Sequence, residues 1–125
     1  MKRILVVDDA ATVRLFHRGI LQAAGWAVDE AANGLEALEK ALAAPYDLYF
    51  VDVNMPRLDG YGFLRQLREQ DGPQAPAVMV STESKPEDEL RALQAGANGY
   101  LVKPGRPATL LALAGLLLGE AEAAA

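Results

Sequence analysis

The 125-residue chain contains no cysteine. Disulfide frameworks, thiol catalysis and cysteine–zinc sites are therefore excluded. The chain also lacks a surplus of basic residues, because 12 lysines and arginines stand against 17 acidic residues and give a net charge of −5. This balance argues against broad binding to nucleic acid, which depends on basic patches.

Long apolar runs are absent as well. No stretch approaches the roughly 20 apolar residues that cross a bilayer, and the apolar run of residues 4–7 is too short for a signal peptide. We therefore expect no membrane association and a cytoplasmic location. The apolar fraction of 51% is nevertheless ample for a continuous core, and the length suits a single domain.

Short apolar segments alternate with helix-length segments five times along the chain. The predicted strands cover residues 4–7, 27–31, 48–53, 77–80 and 100–102. The predicted helices cover residues 12–24, 35–43, 61–69, 86–95 and 107–118. This alternation predicts an α/β fold, in which right-handed crossovers place helices on both faces of a parallel sheet.

Polar residues follow the predicted strands. Asp8 and Asp9 end the first strand and Asp52 lies in the third. The fourth strand leads to Ser81 and the fifth to Lys103. Functional crevices of such sheets lie beyond the carboxyl ends of the strands, so we expect all five side chains to converge there.

The residue types indicate phosphoryl transfer. Clustered carboxylate oxygens suit Mg²⁺, which shares its coordination sphere with phosphate oxygens. Asp52 is the candidate nucleophile, since carboxylates form acyl phosphates. We expect Lys103 to neutralise phosphoryl charge and Ser81 to donate a hydrogen bond to a third oxygen, because this reaction depends on positioning and charge neutralisation.

The sequence resembles the receiver domains of two-component response regulators, and among them the single-domain chemotaxis regulators. The resemblance covers nearly the whole chain. It is carried by the segments Asp8-Asp9, Asp52-Val53-Asn54-Met55-Pro56, Asp59-Gly60, Met79-Val80-Ser81, Gly96-Ala97-Asn98-Gly99-Tyr100 and Lys103-Pro104. It implies a flavodoxin-like (βα)5 fold, a doubly wound five-stranded sheet of order 2-1-3-4-5. From the sequence pattern we expect one domain over residues 1–119 and a short polar-alanine tail over residues 120–125.

The resemblance also assigns roles to residues. It implies that Asp52 is the phosphoacceptor and that Asp9 and Asp52 hold Mg²⁺ directly. Asp8 would act through water, and the main-chain carbonyl of Asn54 would complete the protein ligands. Ser81 and Tyr100 match the positions that move on phosphorylation, and Lys103-Pro104 matches a cis peptide bond, which only proline makes at low cost.

The expected function is that of a single-domain response regulator in chemotaxis or motility. It would catalyse only its own phosphorylation and dephosphorylation, taking the phosphoryl group from a histidine kinase or phosphotransfer protein. A downstream target would bind the face formed by the fourth helix, the fifth strand and the last helix, on a monomer or a weak homodimer. The alternative is a receiver that acts as a relay shuttle, or one excised from a longer hybrid protein.

Two other functions fit the residues less well. A phosphatase with an aspartyl intermediate commonly has an acid–base carboxylate two residues after the nucleophile, but this position is Asn54. A flavin-binding module on the same strand order would need a phosphate-cradling loop after the first strand. The aspartates of that loop have the wrong charge for it.

Three features depart from a simple pattern. Gly105 stands where the family usually has a large apolar residue, which predicts a looser or differently shaped loop. The last helix carries leucines over more than half its circumference. Two interpretations remain open: the helix is only loosely patterned, or the leucines form a contact surface. The single histidine, His17, is expected at a surface or boundary position.

Overall fold

The computed structural model describes residues 1–103 and 105–120. Five parallel strands form one sheet in the order β2-β1-β3-β4-β5. The strands are β1 (Arg3–Val7), β2 (Ala27–Ala31), β3 (Leu48–Asp52), β4 (Ala77–Ser81) and β5 (Gly99–Val102). The helices are α1 (Ala11–Ala23), α2 (Gly34–Ala43), α3 (Gly60–Arg68), α4 (Pro86–Ala95) and α5 (Pro107–Leu118). The predicted fold class and strand order are confirmed.

Each face of the sheet has its own core. Alternate residues of a strand point to opposite faces, so Ile4 and Val6 pack with α1 and α5, whereas Leu5 and Val7 pack with α2, α3 and α4. The central strand β3 is buried at every position. A strand covered on both faces reads as a continuous apolar run, and for this reason β3 is the clearest strand in the sequence.

Helix starts are set by caps that the sequence contains. The Asn33 side chain accepts a hydrogen bond from the Glu36 amide at the start of α2. The Asp59 side chain accepts one from the Gly62 amide at the start of α3. Because the cap is Asp59, α3 begins at Gly60, one residue earlier than predicted.

His17 corrects one expectation. Its side chain is only 4% exposed, so the prediction of a surface or boundary position is wrong. The exposed apolar side chains of α1 are instead Leu15 and Phe16. Burial lowers the pKa of His17 below its ordinary value, with Asp8 opposing this shift and Lys103 adding to it.

The leucines of α5 divide into three groups. Leu110 and Leu118 are buried, and Leu116 is 69% exposed. The remaining three, Leu111, Leu113 and Leu117, are partly buried against the core of this face. The predicted exposure is therefore concentrated in one residue, because the sheet and its neighbours cover most of this broad apolar face.

Pro104 and residues 121–125 lie outside the residues that the structure describes. The expected cis peptide bond involves Pro104, and the expected tail covers residues 120–125. Glu120 is described, and its side chain accepts a hydrogen bond from the Trp26 indole at 3.2 Å. Within residues 1–103 and 105–120, no helix combines the length and apolarity that a membrane crossing requires.

Candidate functional site

Three carboxylates meet at the carboxyl edge of the sheet. Asp52 is the last residue of β3, and Asp8 and Asp9 directly follow β1. One carboxylate oxygen from each lies within 4.8 Å of the other two. Asp8 and Asp52 are 2% and 6% exposed, whereas Asp9 is exposed. The predicted convergence of the three carboxylates is therefore present.

The Asp8 side chain is held on both oxygens. Oδ1 accepts a hydrogen bond from the Ala10 amide at 2.9 Å. Oδ2 accepts one from the Lys103 ammonium at 2.9 Å. The Asp8 amide donates to the Ala31 carbonyl at 3.1 Å, which ties the end of β1 to the end of β2. The carboxylate therefore has one defined orientation at the edge of the sheet.

Lys103 bridges the two buried carboxylates. Its Nζ lies 2.9 Å from Asp8 Oδ2 and 3.1 Å from Asp52 Oδ1. The Lys103 amide donates to the Ser81 carbonyl at 2.8 Å, which holds the end of β5 beside the end of β4. Burial by itself lowers the pKa of Lys103, but the two carboxylates together outweigh it and raise the pKa above its ordinary value.

The cluster has more negative than positive charge. Burial raises the pKa of the Asp52 carboxyl above its ordinary value, the Asp8 carboxylate raises it further, and Lys103 opposes the shift. One ammonium group faces three carboxylates, so a cation would relieve their repulsion. The donors are hard oxygens on a partly exposed cluster, and this set fits a hydrated divalent ion such as Mg²⁺.

Gly60 allows the chain to pass close to Asp52. The Gly60 amide donates to the Val53 carbonyl at 2.9 Å. A Cβ on Gly60 would collide with the main-chain oxygen of Asp52 and reach 3.0 Å from Met79 Sδ. Asn54 is exposed in the loop that this contact closes, beyond the end of β3.

Ser81 and Tyr100 are linked through one residue that sequence reasoning missed. The buried Ser81 hydroxyl accepts a hydrogen bond from the Glu83 amide at 3.1 Å. The Tyr100 hydroxyl donates to the Glu83 carbonyl at 2.8 Å. Glu83 takes part through its main chain alone, so its residue type carries no signal of this role.

Gly105 is packed rather than exposed. It is buried, and a Cβ at this position would lie 2.8 Å from a methyl group of Leu101. With Val13, Phe16, His17, Thr82 and Lys103 it lines a pocket of about 270 Å³ beside the acidic cluster. Leu101 therefore occupies space that a larger residue at 105 would need.

Comparisons with known proteins agree with this geometry. A family model for the response regulator receiver domain matches residues 4–114. The transcriptional regulatory protein ResD of Bacillus subtilis (strain 168) is 40% identical over 105 residues, which make up 84% of this chain and 43% of ResD. The chain therefore spans less than half the length of that relative.

Two solved structures have the same fold. The chemotaxis response regulator CheY4 of Vibrio cholerae is 40% identical with a TM-score of 0.89, over 94% of this chain and 98% of that chain. The receiver domain of the sensor histidine kinase PA1611 from Pseudomonas aeruginosa PAO1 contains a magnesium ion coordinated in its active site cleft. It is 31% identical with a TM-score of 0.87, over 94% of this chain and 98% of that chain.

The strand order, the acidic cluster bridged by Lys103 and the family match lead to one assignment. Receiver domains are the signalling modules of two-component response regulators, which interact with histidine kinases and downstream targets. The chain belongs to the family of response regulator receiver domains, and within it is similar to CheY4.

Proposed function

We propose that this protein is a phosphorylation switch whose acceptor is Asp52. The observation that supports it most strongly is the Lys103 ammonium lying between Asp8 and Asp52, at 2.9 and 3.1 Å. This arrangement places a fixed positive charge beside the carboxylate that would be modified. Phosphoryl transfer is accelerated chiefly by positioning and charge stabilisation of this kind.

The transfer requires one bond exchange. Lys103 contacts Asp52 Oδ1, so we infer that Oδ2 attacks the phosphorus of a phosphohistidine or small phosphodonor. The bond between phosphorus and the donor atom breaks as the acyl phosphate forms, and its electron pair leaves with the donor. Lys103 stabilises the phosphoryl oxygens, and the Ser81 hydroxyl donates a hydrogen bond to one of them.

The metal ligands follow from the same cluster. We infer that the side chains of Asp9 and Asp52 hold Mg²⁺, that Asp8 acts through water, and that the Asn54 carbonyl completes the protein ligands. The clustered oxygens support this set, as does the magnesium in the cleft of the similar PA1611 receiver. When bound, the ion supplies positive charge that neutralises the phosphoryl oxygens.

A direct test is incubation with acetyl phosphate and Mg²⁺. We expect one phosphoryl group per chain by intact mass, located at Asp52 by trapping the acyl phosphate with hydroxylamine. Asp52→Asn should remain unlabelled, whereas Asp71→Asn, which changes an exposed acid distant in sequence from the cluster, should label like the parent. Labelling of Asp52→Asn at the parent's rate would refute the assignment of the acceptor.

The output is a change in the surface formed by α4, β5 and α5. Ser81 and Tyr100 both bond to the main chain of Glu83 in the β4–α4 loop, so movement of Ser81 toward a phosphoryl group would act on Tyr100 through Glu83. The same three elements carry four large apolar side chains that are exposed: Leu90, Leu93, Val102 and Leu116. We infer that a downstream target binds there, and that the face also supports a weak homodimer.

Chemotaxis or motility is the setting we propose, because CheY4 is similar over nearly its whole length. A role as a relay shuttle or as part of a longer hybrid protein is the alternative, supported by the similarity to the PA1611 receiver. Cells that lack the protein should lose normal swimming bias. Restoration by the parent but not by Asp52→Asn would support chemotaxis, and unchanged swimming in the deletion would contradict it.

We also infer that residues 1–119 form the domain.

A further inference from the structure

Arg14 connects the acidic cluster to the end of β2. Its Nη1 donates a hydrogen bond to the main-chain carbonyl of Asp8 at 2.6 Å. Its Nε donates to Glu30 Oε1 at 3.0 Å. One guanidinium thus joins the turn after β1 to the side chain of a residue in β2, and the planar arrangement of its donors lets it hold both partners at once.

Glu30 is itself held from two further elements. Its Oε2 accepts a hydrogen bond from Arg18 Nη1 at 2.7 Å, and its main-chain carbonyl accepts one from the Lys40 ammonium. The side chains of Arg14 and Glu30 are 17% and 20% exposed. Because this contact is largely shielded from water, the interaction between the two side chains is stronger than that of an exposed ion pair.

The carbonyl that Arg14 holds belongs to the peptide between Asp8 and Asp9. A peptide unit is planar, so fixing its carbonyl oxygen also fixes the nitrogen and Cα of the next residue. Asp9 is the exposed member of the acidic cluster. The turn is also closed by the Ala10 amide, which donates to Asp8 Oδ1 at 2.9 Å. Ala10 at the N-cap of α1 adds no capping side chain, so Arg14 is the side chain that holds the carbonyl of this peptide.

We propose that Arg14, held by Glu30, is a positioning residue that orients Asp9 for the divalent cation through the Asp8–Asp9 peptide. This inference rests on the proposed function, in which that pair contributes to a Mg²⁺ site. It assigns a task to two residues that do not contact the phosphoacceptor. Partners of this kind typically change metal affinity by ten- to a hundredfold when they are removed.

The effect of charge on Mg²⁺ affinity is opposite in sign to the effect of positioning, so the two can be told apart. Removing a positive charge near carboxylates should by itself tighten the binding of a cation. Positioning predicts the opposite for Arg14→Met, a loss of Mg²⁺ affinity of about tenfold. Arg18→Met removes the same charge and also breaks a bond to Glu30 but leaves the Asp8 carbonyl untouched, so its affinity should match or exceed that of the parent.

The measurement is a calorimetric titration with MgCl₂ of the parent, Arg14→Met, Arg18→Met, Glu30→Ala and the double variant Arg14→Met/Glu30→Ala. If Glu30 acts through Arg14, the double variant should bind within about twofold of Arg14→Met, because the second change removes nothing further. Parent-like or tighter binding by folded Arg14→Met would overturn the proposal, and so would fully additive losses in the double variant. If Arg14→Met does not fold, the Mg²⁺ affinities of Arg14→Lys and Arg18→Lys are compared in the same way.

A second measurement separates this inference from the proposed metal site. In the metal-free protein, ¹⁵N relaxation should show greater mobility of the Asp9 and Ala10 amides in Arg14→Met than in the parent or Arg18→Met. Failure of the parent to bind Mg²⁺ would overturn the metal site alone. Equal order of these amides in Arg14→Met and the parent would overturn the positioning role whether or not the parent binds the ion.

Discussion

The main-chain oxygen of Asp52 lies against the position that a Cβ on Gly60 would occupy. Gly60→Ala should therefore displace either the end of β3 or the start of α3. We expect a loss of about 1–3 kcal/mol in the free energy of unfolding and slower labelling of Asp52 by acetyl phosphate. Gly19→Ala is the matched control, because nothing lies within 4 Å of a Cβ there, and it should stabilise α1 by about 0.5–1 kcal/mol. Equal effects of the two changes would contradict the steric argument.

Mg²⁺ should stabilise the protein in the absence of phosphate, since Asp8, Asp9 and Asp52 place their oxygens together. At about 100 times its dissociation constant the ion would add about 2.7 kcal/mol by mass action. Asp9→Ala should abolish this gain, and Asp71→Ala, an exposed acid outside the cluster, should retain it. Melting temperatures with and without MgCl₂ provide the test, and an unchanged value for the parent would count against the site.

Ser81→Ala should separate phosphorylation from its output. Asp52 and Lys103 remain in place in this variant, so we expect acetyl phosphate still to label it. The link from Ser81 to Tyr100 through Glu83 is lost, so the population shift that phosphorylation causes should be reduced. Chemical shifts of the Glu83 amide and the Tyr100 ring before and after phosphorylation report it directly. Thr82→Ala, which removes the adjacent exposed hydroxyl, should respond like the parent, and an equal response by Ser81→Ala would remove Ser81 from the switch.

Leu116→Glu tests the face formed by α4, β5 and α5. Leu116 is 69% exposed, so the change should leave the fold and the labelling of Asp52 unaffected. Burial of a leucine by a partner contributes about 1.5–3 kcal/mol, which corresponds to a loss of tenfold or more in affinity. Leu42→Glu on α2, where the leucine is 59% exposed, is the matched control. Sedimentation of the phosphorylated protein measures homodimerisation, and calorimetry measures target binding. Unchanged association of both kinds in Leu116→Glu would show that the binding face is elsewhere.

His17 predicts a pH dependence of stability. Burial lowers its pKa in the folded state below the ordinary 6.5, so the unfolded chain binds a proton more readily as the pH falls through about 6.5. The contribution of His17 is complete above the unfolded pKa and is lost as the pH falls through the folded one. Urea unfolding is measured at about pH 7.5 and about pH 5.5, on either side of the ordinary pKa of histidine. The free energy of unfolding should fall more between these two values for the parent than for His17→Leu. Titrating groups distant from His17 cancel in this difference, and an identical pH dependence for the two proteins would contradict the prediction.

The sequence by itself determined the fold class and the composition of the site. Apolar runs alternating with helical segments specify a parallel sheet, and the carboxyl ends of parallel strands meet at one edge. For this reason Asp8, Asp52 and Lys103 could be placed together although Lys103 is 95 residues away from Asp8. The resemblance to receiver domains added the strand order, which the structure has.

Only the tertiary structure decided which side chains are covered and which main-chain atoms meet. His17 is buried and Leu116 exposed because the packing of each helix against the sheet selects its inner face. In α5, which has apolar residues around most of its circumference, the sequence leaves this choice open. The link through Glu83 and the hydrogen bond from Arg14 to the Asp8 carbonyl both use main-chain atoms. Every residue has these atoms, so residue type does not predict such contacts. They form only when distant segments of the chain pack together.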